Sequence, residues 1–171
     1  MMTTKSRTYD MVMIALLTAI TYVATRFIHI PVPTSVTTGG LMHLGNIVIV
    51  VSAIVFGKKK AAVSAAFGMA LFNLTSPFVI WAPFTFVIRG MQGYAIGHIS
   101  HMKDNGSNTF FNIAAVTAGG VIQIAGYYLA EVAIYGNWIT PLLSIPGDMA
   151  QIAAAFAGLP LAMLLKRAVK V

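Results

Sequence analysis

Apolar runs closed by proline, glycine or asparagine clusters divide the chain into six segments. The pattern predicts helices over about 9–28, closed by "HIPVP"; about 41–56, closed by "GKKK"; and about 60–74, closed by "SP". It predicts three more over about 80–101, closed by "KDNGSN"; about 109–135, closed by "GNWITP"; and about 141–166, ending in "KRAVKV". The third is short, and the stretch 74–83 after it holds two prolines and a tryptophan. No internal repeat is visible, so the pattern does not point to an inverted-repeat transporter.

Composition decides what these helices face. The chain has 171 residues, 58% hydrophobic and 9% charged, with a mean hydropathy of +0.83. A soluble domain carries roughly 25% charged residues, so this chain cannot cover a water-facing surface. One crossing takes about 20 residues, and the length holds about six. The predicted fold is an all-α membrane protein, a compact bundle of six transmembrane helices forming one domain over 1–171. The first apolar run is too long for a signal-peptide core and no A-x-A-like site follows it, so it reads as a retained helix. The absence of cysteine excludes disulfides, thiolate metal sites and cysteine nucleophiles.

The net charge of +7 could suggest nucleic acid, but the positions of the charges make it a topology signal. With the N-terminus inside, Lys5, Arg7, Lys58, Lys59, Lys60, Lys103, Lys166, Arg167 and Lys170 are cytoplasmic, while Arg26 and Arg89 fall toward the outside. Nine basic residues against two place both termini in the cytoplasm. No nucleic-acid partner is expected.

This orientation gives every intramembrane polar residue a depth. His43 and Asn46 lie three apart near the outer end of the second helix, and Asn73 at the outer end of the third. Arg89 and Gln92, also three apart, follow in the fourth. The fifth carries Gln123 near its middle, then Tyr127, Tyr128 and Glu131 further out; Asp148 and Gln151 open the sixth. The inner halves are mostly Ala, Val, Ile, Leu and Phe. A central Asp or Arg costs about 2.5–3.5 kcal/mol in lipid and normally faces a bundle interior or a wet cavity. Several at one depth predict a polar pocket on the outer side, suited to a small neutral polar ligand. A carboxylate there can accept two N–H bonds from an amino-heterocycle. Trp81 and Trp138 fall at outer helix ends, where they either anchor in the interface or stack on a flat ligand. The segment "HIPVPTSVTTGG" (29–40) is long enough to lid the pocket. Against this reading stand a salt-bridge role for Arg89 with Glu131 or Asp148, and an N-cap role for Asp148.

Ala15 and Ala19 sit four apart in "ALLTA", a spacing that lets helix backbones approach closely. Here the pieces resemble a known family. "ALLTA", "IPVP" followed by "GGLMHLGNIVIVVSAIVFG", "RGMQG" and "IPGDMAQ" occur in the order and spacing of the S component, the substrate-binding membrane subunit of energy-coupling factor (ECF) vitamin transporters. The likeness spans nearly the whole chain and is closest to the hydroxymethylpyrimidine and pyridoxine-type branch. Many relatives carry Asp where this chain has Asn46.

The resemblance implies a non-catalytic subunit of a bacterial plasma membrane that captures a vitamin or precursor from outside. It would dock through Ala15 and Ala19 onto a transmembrane coupling subunit (EcfT type), which two cytoplasmic ATPases (EcfA type) bind. The ligand role would fall to His43, Asn46, Asn73, Trp81, Arg89, Gln92, Tyr127, Glu131, Trp138, Asp148 and Gln151. No G-x-x-x-x-G-K-[ST] loop is present, so ATP and Mg belong to the partners. No cofactor or metal is expected in this chain; His98 and His101 are three apart without a third ligand. The competing reading is a small proton- or ion-coupled secondary transporter, which would need polar residues continuing inward. A membrane enzyme and a purely structural subunit rank below it.

Overall fold

The computed structural model describes residues 4–31 and 41–168. Seven helices follow in order: α1 (Thr4–Phe27), α2 (Gly45–Phe56), α3 (Lys58–Leu74), α4 (Ala82–Ser100), α5 (Thr109–Tyr135), α6 (Ile145–Ala155) and α7 (Gly158–Ala168). Short 3-10 turns at Val79–Trp81, Asp104–Gly106 and Thr140–Ser144 join some of them. The turn at Thr140–Ser144, α6 and α7 form one continuous span, so the chain is a membrane bundle of six helical crossings. Three spans are long and apolar enough to cross a bilayer by themselves: Arg7–Phe27, Thr109–Tyr135 and Thr140–Ala168.

The remaining helices are held by their neighbours. One residue, Gly57, joins α2 to α3, at φ +84°, where an L side chain would be strained. Small residues then draw α3 and α4 together in antiparallel register. A Cβ on Gly93 would stand 2.8 Å from the Ala61 carbonyl oxygen, and one on Gly97 2.5 Å from Lys58 Cα. The backbones touch there, as small residues permit between membrane helices. On the other side of α3, Gly68 meets Thr21 of α1 in the same way. α5 is capped at its start by Asn108, whose side chain accepts from the Phe111 N–H at 3.2 Å, and at its end by Gly136 in the left-handed region.

The core lies in the half of the bundle near Lys58. Ile49, Val50, Ala53 and Ile54 of α2 pack with Ala61 and Ala65 of α3, Ile96 of α4, Ala115 and Val116 of α5, Ala155 of α6 and Ala162 of α7. A smaller cluster of Trp81, Ile88, Tyr127 and Ala130 lies toward the other end. Along α3 the order is basic, apolar, polar: Lys58 to Lys60, then Ala61 and Ala65, then Asn73. Lys58 and Asn73 are about 22 Å apart along the helix axis.

Two details differ from the sequence expectation. The second helix begins at Gly45, because Leu41–His43 instead pairs as strand β2 with β1 (His29–Pro31), antiparallel, with His29 opposite His43. The Leu44 N–H continues the pairing onto the Ile28 carbonyl at 3.1 Å. The sixth helix breaks between Ala155 and Gly158, where Gly158 and Pro160 interrupt the backbone ladder. The expected lid falls mostly on 32–40, outside the described residues.

Candidate binding cavity and its buried arginine

Each helix brings its polar residues to the cavity on one stripe. α4 supplies Thr85, Arg89 and Gln92, at spacings of four and three; α5 supplies Gln123 and Tyr127, four apart; α6 supplies Asp148 and Gln151, three apart. Asn46 comes from the first turn of α2, and Met69, Phe72 and Asn73 from the last turns of α3. The stripes converge on a small, partly open cavity of about 60 Å³. Its walls are His43, Met69, Phe72, Asn73, Phe78, Trp81, Thr85, Arg89, Tyr127, Asp148 and Gln151.

Arg89 organises the floor and is only 2% exposed. Its Nη1 donates to Asn46 Oδ1 at 2.8 Å, Gln92 Oε1 at 2.8 Å and Gln123 Oε1 at 2.7 Å. Its Nε donates to the Tyr127 hydroxyl at 3.2 Å, and the guanidinium stands 5.1 Å from the Tyr127 ring centre. Nη2 makes only a long contact, 3.4 Å, to Gln151 Oε1. Neutral oxygens thus surround the buried cation, and the carboxyl of Asp148 reaches it through Gln123, whose Nε2 donates to Asp148 Oδ1 at 3.3 Å and to Gln151 Oε1 at 3.0 Å. A second chain runs along the wall. Asn73 Nδ2 donates to Thr85 Oγ1 at 2.8 Å, and Thr85 shares a 3.2 Å hydrogen bond with the Tyr127 hydroxyl. Each link satisfies a group that would otherwise be costly to bury.

Of the residues expected at a ligand site, His43, Asn73, Trp81, Arg89, Tyr127, Asp148 and Gln151 line the cavity. Asn46 and Gln92 lie beneath it, holding Arg89. The structure does not bring Glu131 or Trp138 to the wall. Glu131, fully buried, accepts from Ser144 Oγ at 3.0 Å and ties α5 to the turn before α6. Trp138 is 64% exposed; its ring lies beside Tyr128, which donates to the Trp138 carbonyl at 2.7 Å. Four wall residues were not anticipated: Met69, Phe72, Phe78 and Thr85. Thr85 had a signal, since it precedes Arg89 by one helical turn. The arrangement offers hydrogen-bond donors, a carboxyl acceptor and aromatic faces, a set suited to holding a flat polar molecule. Among the described residues no three His, Asp or Glu side chains gather as metal ligands would.

Residues 5–167 match the family model "ECF-type riboflavin transporter, S component". The chain belongs to the ECF S-component family. As a member, it is a substrate-specific membrane subunit for a vitamin or vitamin precursor, a multi-pass protein of the plasma membrane, in a transport rather than a catalytic role. S components of this family associate with EcfT and EcfA subunits. This S component is 31% identical over 136 residues to the thiamine precursor transporter HmpT of Lactococcus lactis subsp. cremoris (strain MG1363), covering 79% of this chain and 78% of that protein. It is 30% identical over 115 residues to an uncharacterized protein, in the gap 3' region, of Pyrococcus woesei, covering 67% and 72%.

Proposed function

We propose that the cavity captures hydroxymethylpyrimidine, or next a pyridoxine-type ring, from outside the cell. The observation that carries this reading is the juxtaposition of Arg89 and Asp148 among aromatic walls. An aminopyrimidine has an exocyclic N–H₂ beside a ring nitrogen, donor next to acceptor. The carboxyl of Asp148 takes N–H bonds, and the under-used Nη2 of Arg89 gives one. Trp81, Phe72, Phe78 and Tyr127 supply faces for the ring. The likeness to a thiamine precursor transporter supports the same ligand. The family description names riboflavin, a larger vitamin, which belongs in any binding panel.

The whole chain, 1–171, acts in this proposal as one binding domain with both termini cytoplasmic and the cavity outward. One coupling subunit of EcfT type and two ATPases of EcfA type complete the transporter, and ATP and Mg act only on the ATPases. Two features support these assignments. Among the described residues the core below Gln92 is mainly apolar, with no buried charged side chain, which disfavours a stand-alone proton- or ion-coupled carrier. Ala15 and Ala19 of α1 line an apolar surface groove with Val63, Phe67 and Leu71 of α3, a shape that a partner's helix fits.

Calorimetry of the purified subunit against a panel of water-soluble vitamins and precursors tests the ligand: hydroxymethylpyrimidine binds tightest, and a panel with no binder sinks the proposal. In vesicles, uptake requires the partners and ATP; flux driven by a proton gradient alone favours the secondary carrier. Ala15→Trp with Ala19→Trp abolishes uptake while binding in detergent stays within about twofold, whereas an equal loss of both makes this stripe internal packing.

A further inference from the structure

The end of the bundle away from the cavity holds a second cleft, lined by Gly57, Lys58, Gly97, His98, His101 and Met102. Its ammonium group, on Lys58, is held without a carboxylate among the described residues. The half-buried Lys58 donates from Nζ to His98 Nδ1 at 3.2 Å and lies 5.3 Å from the Tyr94 ring centre. An ammonium can only donate, so His98 accepts at Nδ1 and carries its proton on Nε2. His101 Nδ1 is 2.9 Å from the Gly97 carbonyl oxygen, which can only accept, so its Nε2 is the free face. That Nε2 would lie 3.9 Å from a Cβ on Gly57, at the cleft wall. Behind it, Lys166 bonds the Asn105 carbonyl and stands beside Gly106 with the His101 ring.

The acid inventory makes this arrangement informative. The chain has four acidic residues. Asp10 pairs with Lys60 at 2.9 Å, Asp104 accepts from Asn108, and Glu131 and Asp148 belong to the opposite end. None is bonded to Lys58, His98, His101 or Lys166. Burial, reinforced by the charge of Lys166, pushes His101 below the usual imidazole range, against the hydrogen bond to Gly97. A negative charge in the cleft would reverse that. The Lys58 ammonium, the Nε2–H of His98 and, once protonated, the Nε2–H of His101 offer donors to the oxygens of a doubly negative anion, and Lys166 adds positive charge beside His101.

We propose that this cleft is a binding site for a phosphomonoester or inorganic phosphate dianion, held by Lys58, His98 and His101 with Lys166 behind. The site stands apart from the vitamin cavity and does not depend on that cavity's ligand. The dianion can come from a phosphatidic acid headgroup or from solution, and the test separates them. Protein labelled with ¹⁵N-histidine is placed in nanodiscs of phosphatidylcholine and titrated with inorganic phosphate at constant ionic strength. A second sample uses phosphatidylcholine with phosphatidic acid and no added phosphate. The Nε2 signals of His98 and His101, assigned by His98→Gln and His101→Gln, shift saturably with one source or both, while His43 stays still. A response to phosphate alone identifies a soluble ligand, and one to phosphatidic acid alone a lipid headgroup. Lys58→Gln, checked for an unchanged thermal midpoint, weakens the response more than tenfold. No shift with either source, or equal titrations in Lys58→Gln and the parent, overturns the site.

Discussion

The two halves of α4 follow opposite rules. From Thr85 to Gln92 the helix faces its neighbours with hydrogen-bonding side chains, and Arg89 alone satisfies oxygens from α2, α4 and α5. At Gly93 and Gly97 it turns no side chain toward α3, and its backbone rests on that of α3, while Ile96 on another face enters the core. Both solutions answer the same problem, which is that helices in lipid gain little from apolar contact with one another. The polar half spends its contacts on a cavity; the small-residue half spends them on closeness. The difference teaches that a large, charged side chain inside a membrane needs many acceptors, whereas tight packing needs only the absence of a Cβ.

The strongest way to break this contrast is in the packed half. Gly97→Leu forces the helices apart where a Cβ alone would already clash, costing about 3 kcal/mol or more. The variant should lose its monodisperse peak in detergent or melt far below the parent; an unchanged melt would falsify the backbone contact. Next comes Arg89→Ala, which leaves the oxygens of Asn46 and Gln92 without their 2.8 Å donor. Each orphaned group costs about 1–3 kcal/mol, so stability falls, and calorimetry should show ligand affinity down by more than tenfold, about 1.4 kcal/mol. Asp148→Asn keeps the shape of the wall but changes the acceptor. It should also weaken binding by at least about tenfold, with a smaller loss of thermal stability than Arg89→Ala; the reverse order would make Asp148 structural. The smallest effect belongs to Trp138→Ala. Because that ring lies outside the cavity, affinity should stay within about twofold, and a larger change would extend the site to the turn after α5.

Much of this was legible in the residues. Apolar runs broken by Pro, Gly and Asn marked the six crossings, although only three are long and apolar enough to span a bilayer by themselves among the described residues, and polar residues at spacings of three and four marked the stripes that meet at the cavity. Gln123 was visible near mid-helix, but its hub role was not, because a glutamine's two ends say nothing about which neighbours they reach. Met69, Phe72 and Phe78 carried no signal, because an apolar side chain facing a cavity has the same signature as one facing another helix. Trp138 shows the converse: an amphipathic ring at a helix end suits the interface and a ligand equally well, and only packing against Tyr128 decides its position. The β1–β2 ribbon depends on pairing between segments ten or more residues apart, which local periodicity does not register. The break between α6 and α7 did have a signal, "AGLP", that the surrounding hydrophobicity masked.

The contact of Gly93 and Gly97 with α3 has a mechanical corollary. Two helices in backbone contact cannot slide or tilt against each other without collision, so α3 and α4 behave as a single stiff plank. Asn73, Trp81, Thr85 and Arg89 ride on that plank and keep their mutual geometry while it holds. Any rearrangement of the cavity wall that leaves this contact intact falls on the opposite bank: the ribbon carrying His43, or α6 with Asp148 and Gln151.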